Sequence, residues 1–241
     1  MKVIGLIGGM SWVSSAEYYR LINQLVGERL GGLHSARLLL YSVDFEEVET
    51  CQHDGRWDDA AIMLADAARA LERAGADFLV LCTNTMHKVA DALERSTSLP
   101  LLHICDVAGA AIRERGLGTV GLLGTRFTME QPFYRERLEE RFGLRVLIPP
   151  EEEREAIHRI VFQELCLGLI EAASKRACLK AIEGLAGRGA EGIVLACTEL
   201  PLLLSQSDVR LPLFDTTWLH AEAAVKLALS ESKWPSPRIS S

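Results

Sequence analysis

The sequence predicts an α/β protein in which one lobe, built on a parallel sheet, has been duplicated. Three observations carry this. Short leucine-rich or β-branched runs alternate with segments of helical periodicity, the pattern of βαβ units. The runs are almost uniformly apolar instead of alternating, as parallel strands buried on both faces should be. Finally, the series is written twice. Val3-Ile4-Gly5-Leu6-Ile7-Gly8-Gly9 recurs as Thr119-Val120-Gly121-Leu122-Leu123-Gly124-Thr125, at an offset of 116. Gly75-Ala76-Asp77-Phe78-Leu79-Val80-Leu81 recurs as Gly189-Ala190-Glu191-Gly192-Ile193-Val194-Leu195 at 114, and Leu99-Pro100-Leu101-Leu102 as Leu211-Pro212-Leu213-Phe214 at 112. Three matches in one order, drifting by two residues each, identify an internal duplication.

In the first copy, strands are predicted over Lys2 to Ile7, Arg37 to Ser42, Asp77 to Leu81 and Leu101 to Ile104. Between the first two, Ala16, Tyr19, Ile22, Val26 and Leu30 keep the three-and-four spacing of a helix face, and Gly31-Gly32 supplies its stop. A second helix runs from Trp57 to Ala74 and ends at Gly75. In the second copy, strands are predicted over Val120 to Leu123, Arg145 to Ile148, Gly192 to Ala196 and Leu213 to Asp215. Helical stripes lie between them at Ile157, Ile160, Val161 and Leu165, and at Cys178, Ala181, Ile182 and Leu185. A last helix, Thr217 to Leu229, is expected to pack back on the first lobe, which divides the chain into 1–116 with 216–241, and 117–215. Ser230 to Ser241, rich in Ser and Pro, reads as a loose tail.

The 241 residues suffice for two lobes. A chain 49% apolar and 24% charged is neither disordered, collagenous nor coiled-coil. Against 33 acidic residues stand 26 Lys and Arg, a net charge of −7 without a basic block, which argues against a nucleic-acid partner. Six Cys without a CxxC pair point to a reducing cytoplasm and to neither a disulfide scaffold nor a zinc site. No apolar run reaches the roughly 18 residues of a membrane-spanning helix. Lys2 with Val3 to Met10 superficially resembles a signal peptide, but no small-residue cleavage pattern follows and a second copy sits mid-chain. Gly8 and Gly9 do not complete a dinucleotide-binding GxGxxG.

Ligands of parallel sheets belong at the carboxyl ends of the strands. With the offset of 114 held, Cys82, Thr83, Asn84 and Thr85 face Ala196, Cys197, Thr198 and Glu199, so two polar motifs sit at equivalent strand ends. Backbone N–H groups there, with the Thr85 and Thr198 hydroxyls and the Asn84 amide, suit a carboxylate. If the copies face each other, Thr83 and Cys197 flank one cleft, where one group can take a proton from a carbon and the other return one to its opposite face. A free thiol titrates near about 8.5, and a helix N-terminus is expected to lower Cys197 toward thiolate. A threonine hydroxyl is a far weaker base. One step along a strand reverses the side chain, so Cys82 is expected to be buried and Thr83 to face the cleft; a bulge would re-aim Cys82. Met10 and Ser11 after the first strand, and Thr125 after its counterpart, lie where a cleft would be lined, or they merely close turns. Glu199 either holds the thiol region or starts a helix. His87 orients a site group or caps locally, and His34, His53, His103, His158 and His220 show no metal spacing. Cys51, Cys105, Cys166 and Cys178 read as packed small hydrophobes.

The opening GLIGGMSW, the NTMH of Asn84 to His87, the CTEL of Cys197 to Leu200 and the repeat itself resemble the aspartate/glutamate racemase family, whose members epimerise amino acids without pyridoxal phosphate. The resemblance implies two flavodoxin-like lobes, a site between them for a small amino acid, neither metal nor organic cofactor, and a homodimer. It also shows two departures. Thr83 stands where the family has a cysteine before the Asn-Thr pair. Glu49 to Gly55 and Glu164 to Gly168 lack the basic side chains that aspartate-specific members set against the distal carboxylate. Gln52 is the candidate replacement there, with Arg56 just beyond, and an uncharged pocket would admit neutral or polar amino acids. The expected enzyme is a cofactor-independent racemase of aspartate/glutamate or of a broader set of polar and neutral amino acids, with Cys197 and Thr83 catalytic. Asn84, Thr85 and Thr198 would hold the α-carboxylate, Met10 and Gln52 would shape the side-chain pocket, and Thr125 and Glu199 would complete the lining. Its rivals are a single-thiol decarboxylase or isomerase of related architecture, and an amino-acid-binding protein in which the missing cysteine marks lost activity.

Overall fold

The computed structural model describes residues 1–230; residues 231–241, most of the expected tail, lie outside the described residues. Two four-stranded parallel sheets result. The first holds β1 (Ile4–Gly8), β2 (Leu38–Ser42), β3 (Phe78–Leu81) and β4 (Leu101–Leu102) in the order β2-β1-β3-β4. The second holds β5 (Thr119–Gly124), β6 (Arg145–Leu147), β7 (Gly192–Ala196) and β8 (Leu213–Asp215) in the order β6-β5-β7-β8. Both orders are one permutation, as a duplicated chain requires.

Helices α1 (Trp12–Leu30), α2 (Phe45–His53), α3 (Trp57–Arg73), α4 (Ala90–Ser96) and α5 (Ile104–Glu114) belong to the first half. The second half adds α6 (Arg126–Glu130), α7 (Pro132–Phe142), α8 (Glu151–Gln163), α9 (Ala172–Gly187), α10 (Leu200–Leu203) and α11 (Thr216–Leu229). None of the described helices is long and apolar enough to cross a membrane. The fourth strand is shorter than its apolar run suggests: His103 accepts the Cys105 N–H at 3.2 Å, and this cap turns Ile104 into the first residue of α5.

The stripe of α1 also differs from the sequence pattern. Tyr19 is 54% and Leu30 43% exposed, whereas Ser14, Tyr18, Leu21 and Leu25 are buried beside Ser15, Ile22 and Val26. Serines enter that face because the backbone satisfies them. The Ser15 hydroxyl takes the Gly9 N–H at 2.7 Å and donates to the Ser11 carbonyl at 2.9 Å. Against this face α11 lays Ala221, Ala224, Val225 and Ala228, in one cluster with Ile4, Leu6, Tyr18 and Ile22. Full burial of Val225 or Ile22 contributes about 1.5–3 kcal/mol each.

Two glycines bring backbone close to the strand ends. Gly9 takes φ +100 where the chain turns from β1 into α1. Gly124, at the end of β5, lies where a Cβ would stand 2.6 Å from the Ala196 carbonyl, so its lack of a side chain lets β5 close on the residue before Cys197.

Candidate active site

Both polar motifs meet at one cavity between the sheets. The first half lines it with Met10, Phe45, Gln52, Thr83, Asn84 and Thr85. Thr125, Val161, Phe162, Cys166, Ala196, Cys197, Thr198 and Glu199 line it from the second. Every residue singled out from the sequence for catalysis or substrate contact is thus on its wall, except Ser11, which is buried behind it against Glu199. Cys82 is not: it is fully buried beneath α1 and α11, with its sulfur 3.9 Å from the Val80 carbonyl.

At the end of β7, the Glu199 carboxylate gathers three donors. The Ser11 hydroxyl reaches Oε1 at 2.8 Å from the other half of the molecule. The Thr198 hydroxyl donates to Oε2 at 2.8 Å, and the Cys197 thiol donates to the same oxygen at 3.1 Å. A carboxylate offers about four lone-pair sites, so one acceptor position remains. The thiol is not lowered toward thiolate. Burial, then the neighbouring Glu199 charge, push Cys197 well above its ordinary value, and these outweigh the N–H of Glu199 directed at the sulfur. The expectation from the short helix beyond it fails for that reason, and the resting group is a thiol.

At the end of β3, the carbonyl of Thr83 accepts from His87 Nδ1 at 2.7 Å. The Ile104 N–H donates to His87 Nε2 at 3.2 Å, so the ring is neutral with its proton on Nδ1. Burial, then His103 and His220, hold it well below its usual range. His87 therefore fixes backbone and does not touch the cavity. Thr85, Thr125 and Thr128 close a ring of hydroxyls at 3.0, 3.2 and 3.2 Å. The Asn84 amide gives Nδ2 to Thr216 Oγ1 at 3.1 Å, away from the cavity, and leaves Oδ1 without a partner. One of its two N–H groups is thus engaged outside the cavity, and the other remains for a carboxylate. Gln52 gives Nε2 to the Met86 sulfur at 3.0 Å and likewise keeps an unpartnered Oε1.

The lining carries no Lys or Arg. Arg56 stays outside, paired with Asp54 at 3.1 Å and Asp59 at 2.9 Å. Cys166, read as a packed small hydrophobe, is partly buried against the core of the second half and also reaches the wall it shares with Cys197. The free space is about 20 Å³, the room of one water. Phe45 of α2 and Phe162 of α8 stack across the halves, centroids 6.2 Å apart at 17°, and separate it from an outer pocket of about 560 Å³ that also touches Arg126 and Arg159. Phe45, Val161 and Phe162 carry no chemical signature in the sequence, and only their packing reveals them.

A family model for Asp/Glu/Hydantoin racemases matches residues 7–224. The chain belongs to this racemase family. A candidate Asp/Glu racemase from Yersinia pestis has a similar structure, with a TM-score of 0.89, 52% identity, and coverage of 95% of this chain and 100% of that one. The structure of an aspartate racemase homologue from Pyrococcus horikoshii OT3 gives 0.82 at 36% identity, covering 95% and 99%. Among curated relatives, the broad specificity amino-acid racemase RacX of Bacillus subtilis is 23% identical over 240 residues, 95% of this chain and 99% of its own. The two-lobed α/β racemase fold is the one observed here.

Proposed function

We propose that this protein is an amino-acid racemase that works with its own side chains, moving protons at the α-carbon between Cys197 on one face and Thr83 on the other. Residues 117–215 form one lobe in this reading and the rest of the described chain the other, with the substrate between. The observation that carries it is the convergence of Thr83 and Cys197, at equivalent ends of β3 and β7, on one enclosed cavity. Membership of the racemase family supports it.

The proton inventory follows from the site. Glu199 Oε2 already accepts the Cys197 S–H and is the nearest group able to take that proton. The thiolate so formed removes the α-proton, giving back the S–H and leaving a carbanion. The Thr83 hydroxyl, directly or through a water, protonates the opposite face, and the proton held by Glu199 passes to the Thr83 oxygen, which leaves carboxylate, thiol and hydroxyl as they began. In the other direction Glu199 takes the Thr83 proton, the Thr83 oxygen removes the α-proton, Cys197 gives its S–H to the opposite face, and the proton on Glu199 returns to the thiolate. The hydroxyls of Thr85 and Thr125 suit the α-carboxylate once a bond of their ring opens to it, and the backbone N–H groups beside Thr198, whose own proton goes to Glu199, complete that cradle. With Gln52 in place of a cation, the side-chain pocket takes aspartate or glutamate without a paired charge and extends to a broader set of polar and neutral amino acids. The single-copy thiol reading and the binding-protein reading make different predictions for solvent exchange. Incubation of L- and D-amino acids in D₂O should give α-deuterium in both enantiomers with inversion; a panel showing binding but no exchange sinks the proposal. Analytical ultracentrifugation tests the homodimer and fractionation the cytoplasmic location that this reading carries with it.

A further inference from the structure

Thr216, the first residue of α11, is fully buried and does not line the cavity, yet its hydroxyl touches both halves of the site. The oxygen lies 2.7 Å from the Leu195 carbonyl, two residues before Cys197, and 3.1 Å from Asn84 Nδ2. A hydroxyl has one proton. A carbonyl can only accept, so the proton goes to Leu195; toward Asn84 the oxygen can then only accept, which demands the NH₂ end of the amide. The orientation of Asn84 is thereby dictated from outside the cavity. Its carbonyl Oδ1 is buried without a partner, on a residue that is itself 2% exposed and lines the site. A buried acceptor left unpaired calls for a donor, and a bound ligand is the group that can bring one.

We propose that Thr216 is a positioning residue: by holding the Asn84 amide it turns Oδ1 toward the substrate, where that oxygen accepts a hydrogen bond from the α-ammonium. The chemical class recognised is the 2-amino acid, as against acids of the same skeleton that lack the amine. Asn84 and the remaining acceptor position of Glu199 then receive the ammonium from the two sides of the site. The inference rests on the amino-acid reading given above.

The test is binding by calorimetry of L-alanine against propionate and of L-aspartate against succinate, with α-deuterium exchange run in parallel. Wild type should favour the amino acid in at least one pair by tenfold or more. Thr216→Val, which keeps the volume and loses the hydroxyl, should cut that preference about tenfold while leaving the des-amino acid unchanged, and Thr216→Ser should restore it. Thr216→Ala supplies the same loss of hydroxyl if the valine variant does not fold. A merely structural threonine would weaken both ligands alike and leave the ratio where it was; that result, or a wild type that binds the des-amino acids equally well or binds neither pair, overturns the inference. A ratio that behaves as expected in a protein showing no exchange would keep Thr216 and remove the racemase.

Discussion

At the end of β7, Cys197 has a carboxylate oxygen 3.1 Å from its sulfur; at the equivalent end of β3, Thr83 has no acceptor of that kind, only a histidine that grips its carbonyl at 2.7 Å. The duplication thus preserved the frame and let the proton chemistry diverge. One end holds an acid with its own base, while the other holds a hydroxyl on backbone gripped by a neutral histidine. Because enantiomers have equal free energy in achiral solution, kcat/KM must still be equal in both directions, and the asymmetry can show only in kcat and KM separately.

The hardest blow to this contrast is Cys197→Ala. It should lower α-deuterium exchange by about 10³-fold or more, measured by NMR in D₂O, because the thiol that exchanges its proton with the α-carbon disappears. Unchanged exchange would mean that the β7 end is not the working one. Next comes Glu199→Gln, which should reduce kcat about 10²-fold and also move the pH profile. The Glu199 charge is among the causes that raise the thiol, so its removal lets Cys197 ionise at lower pH, and the rising limb of the rate should shift to the acid side. A fall in rate without that shift would reduce Glu199 to a structural carboxylate. Making the ends more alike is a gentler perturbation: Thr83→Cys should raise the rate about tenfold, with matched kcat values in the two directions. A slower enzyme would show that the hydroxyl itself is required.

The smallest effect concerns the frame behind Thr83. Burial holds His220 at about 4 and His103 at about 2, against an ordinary 6.5. Between those values and 6.5 the unfolded chain binds more protons than the folded one, so stability is complete above about pH 6.5 and is lost as pH falls. Thermal unfolding at pH 4.5 should lie about 5 °C or more below that at pH 7. His220→Asn should flatten this slope; an unchanged slope would place the acid sensitivity elsewhere.

Much of the frame and of the site was legible in the chain. Uniform apolar runs are what parallel strands require, and the offset of 114 alone set Thr83 opposite Cys197. The failures have particular causes. The buried stripe of α1 was misplaced because backbone groups satisfy Ser14 and Ser15, and polar residues so satisfied look like surface in a pattern of hydrophobicity. That Cys166, packed as its type suggests, also reaches the cavity wall bears no mark in the chain. Which end of the Asn84 amide Thr216 holds is likewise unmarked in the chain, since the residue type allows either.

What the sequence determined by itself was the doubled α/β frame and which residues end its strands, since periodicity, turn chemistry and repeat offset are properties of neighbours along the chain. What the tertiary structure decided was the proton on Cys197, the aromatic wall of Phe45 and Phe162, and the direction of the Asn84 amide. Each depends on burial or on a partner far away in sequence, as with Ser11 and Glu199, 188 residues apart, and Asn84 and Thr216, 132 apart. Charge state and hydrogen-bond direction are set by what surrounds a group, and for these residues folding alone supplies the surroundings.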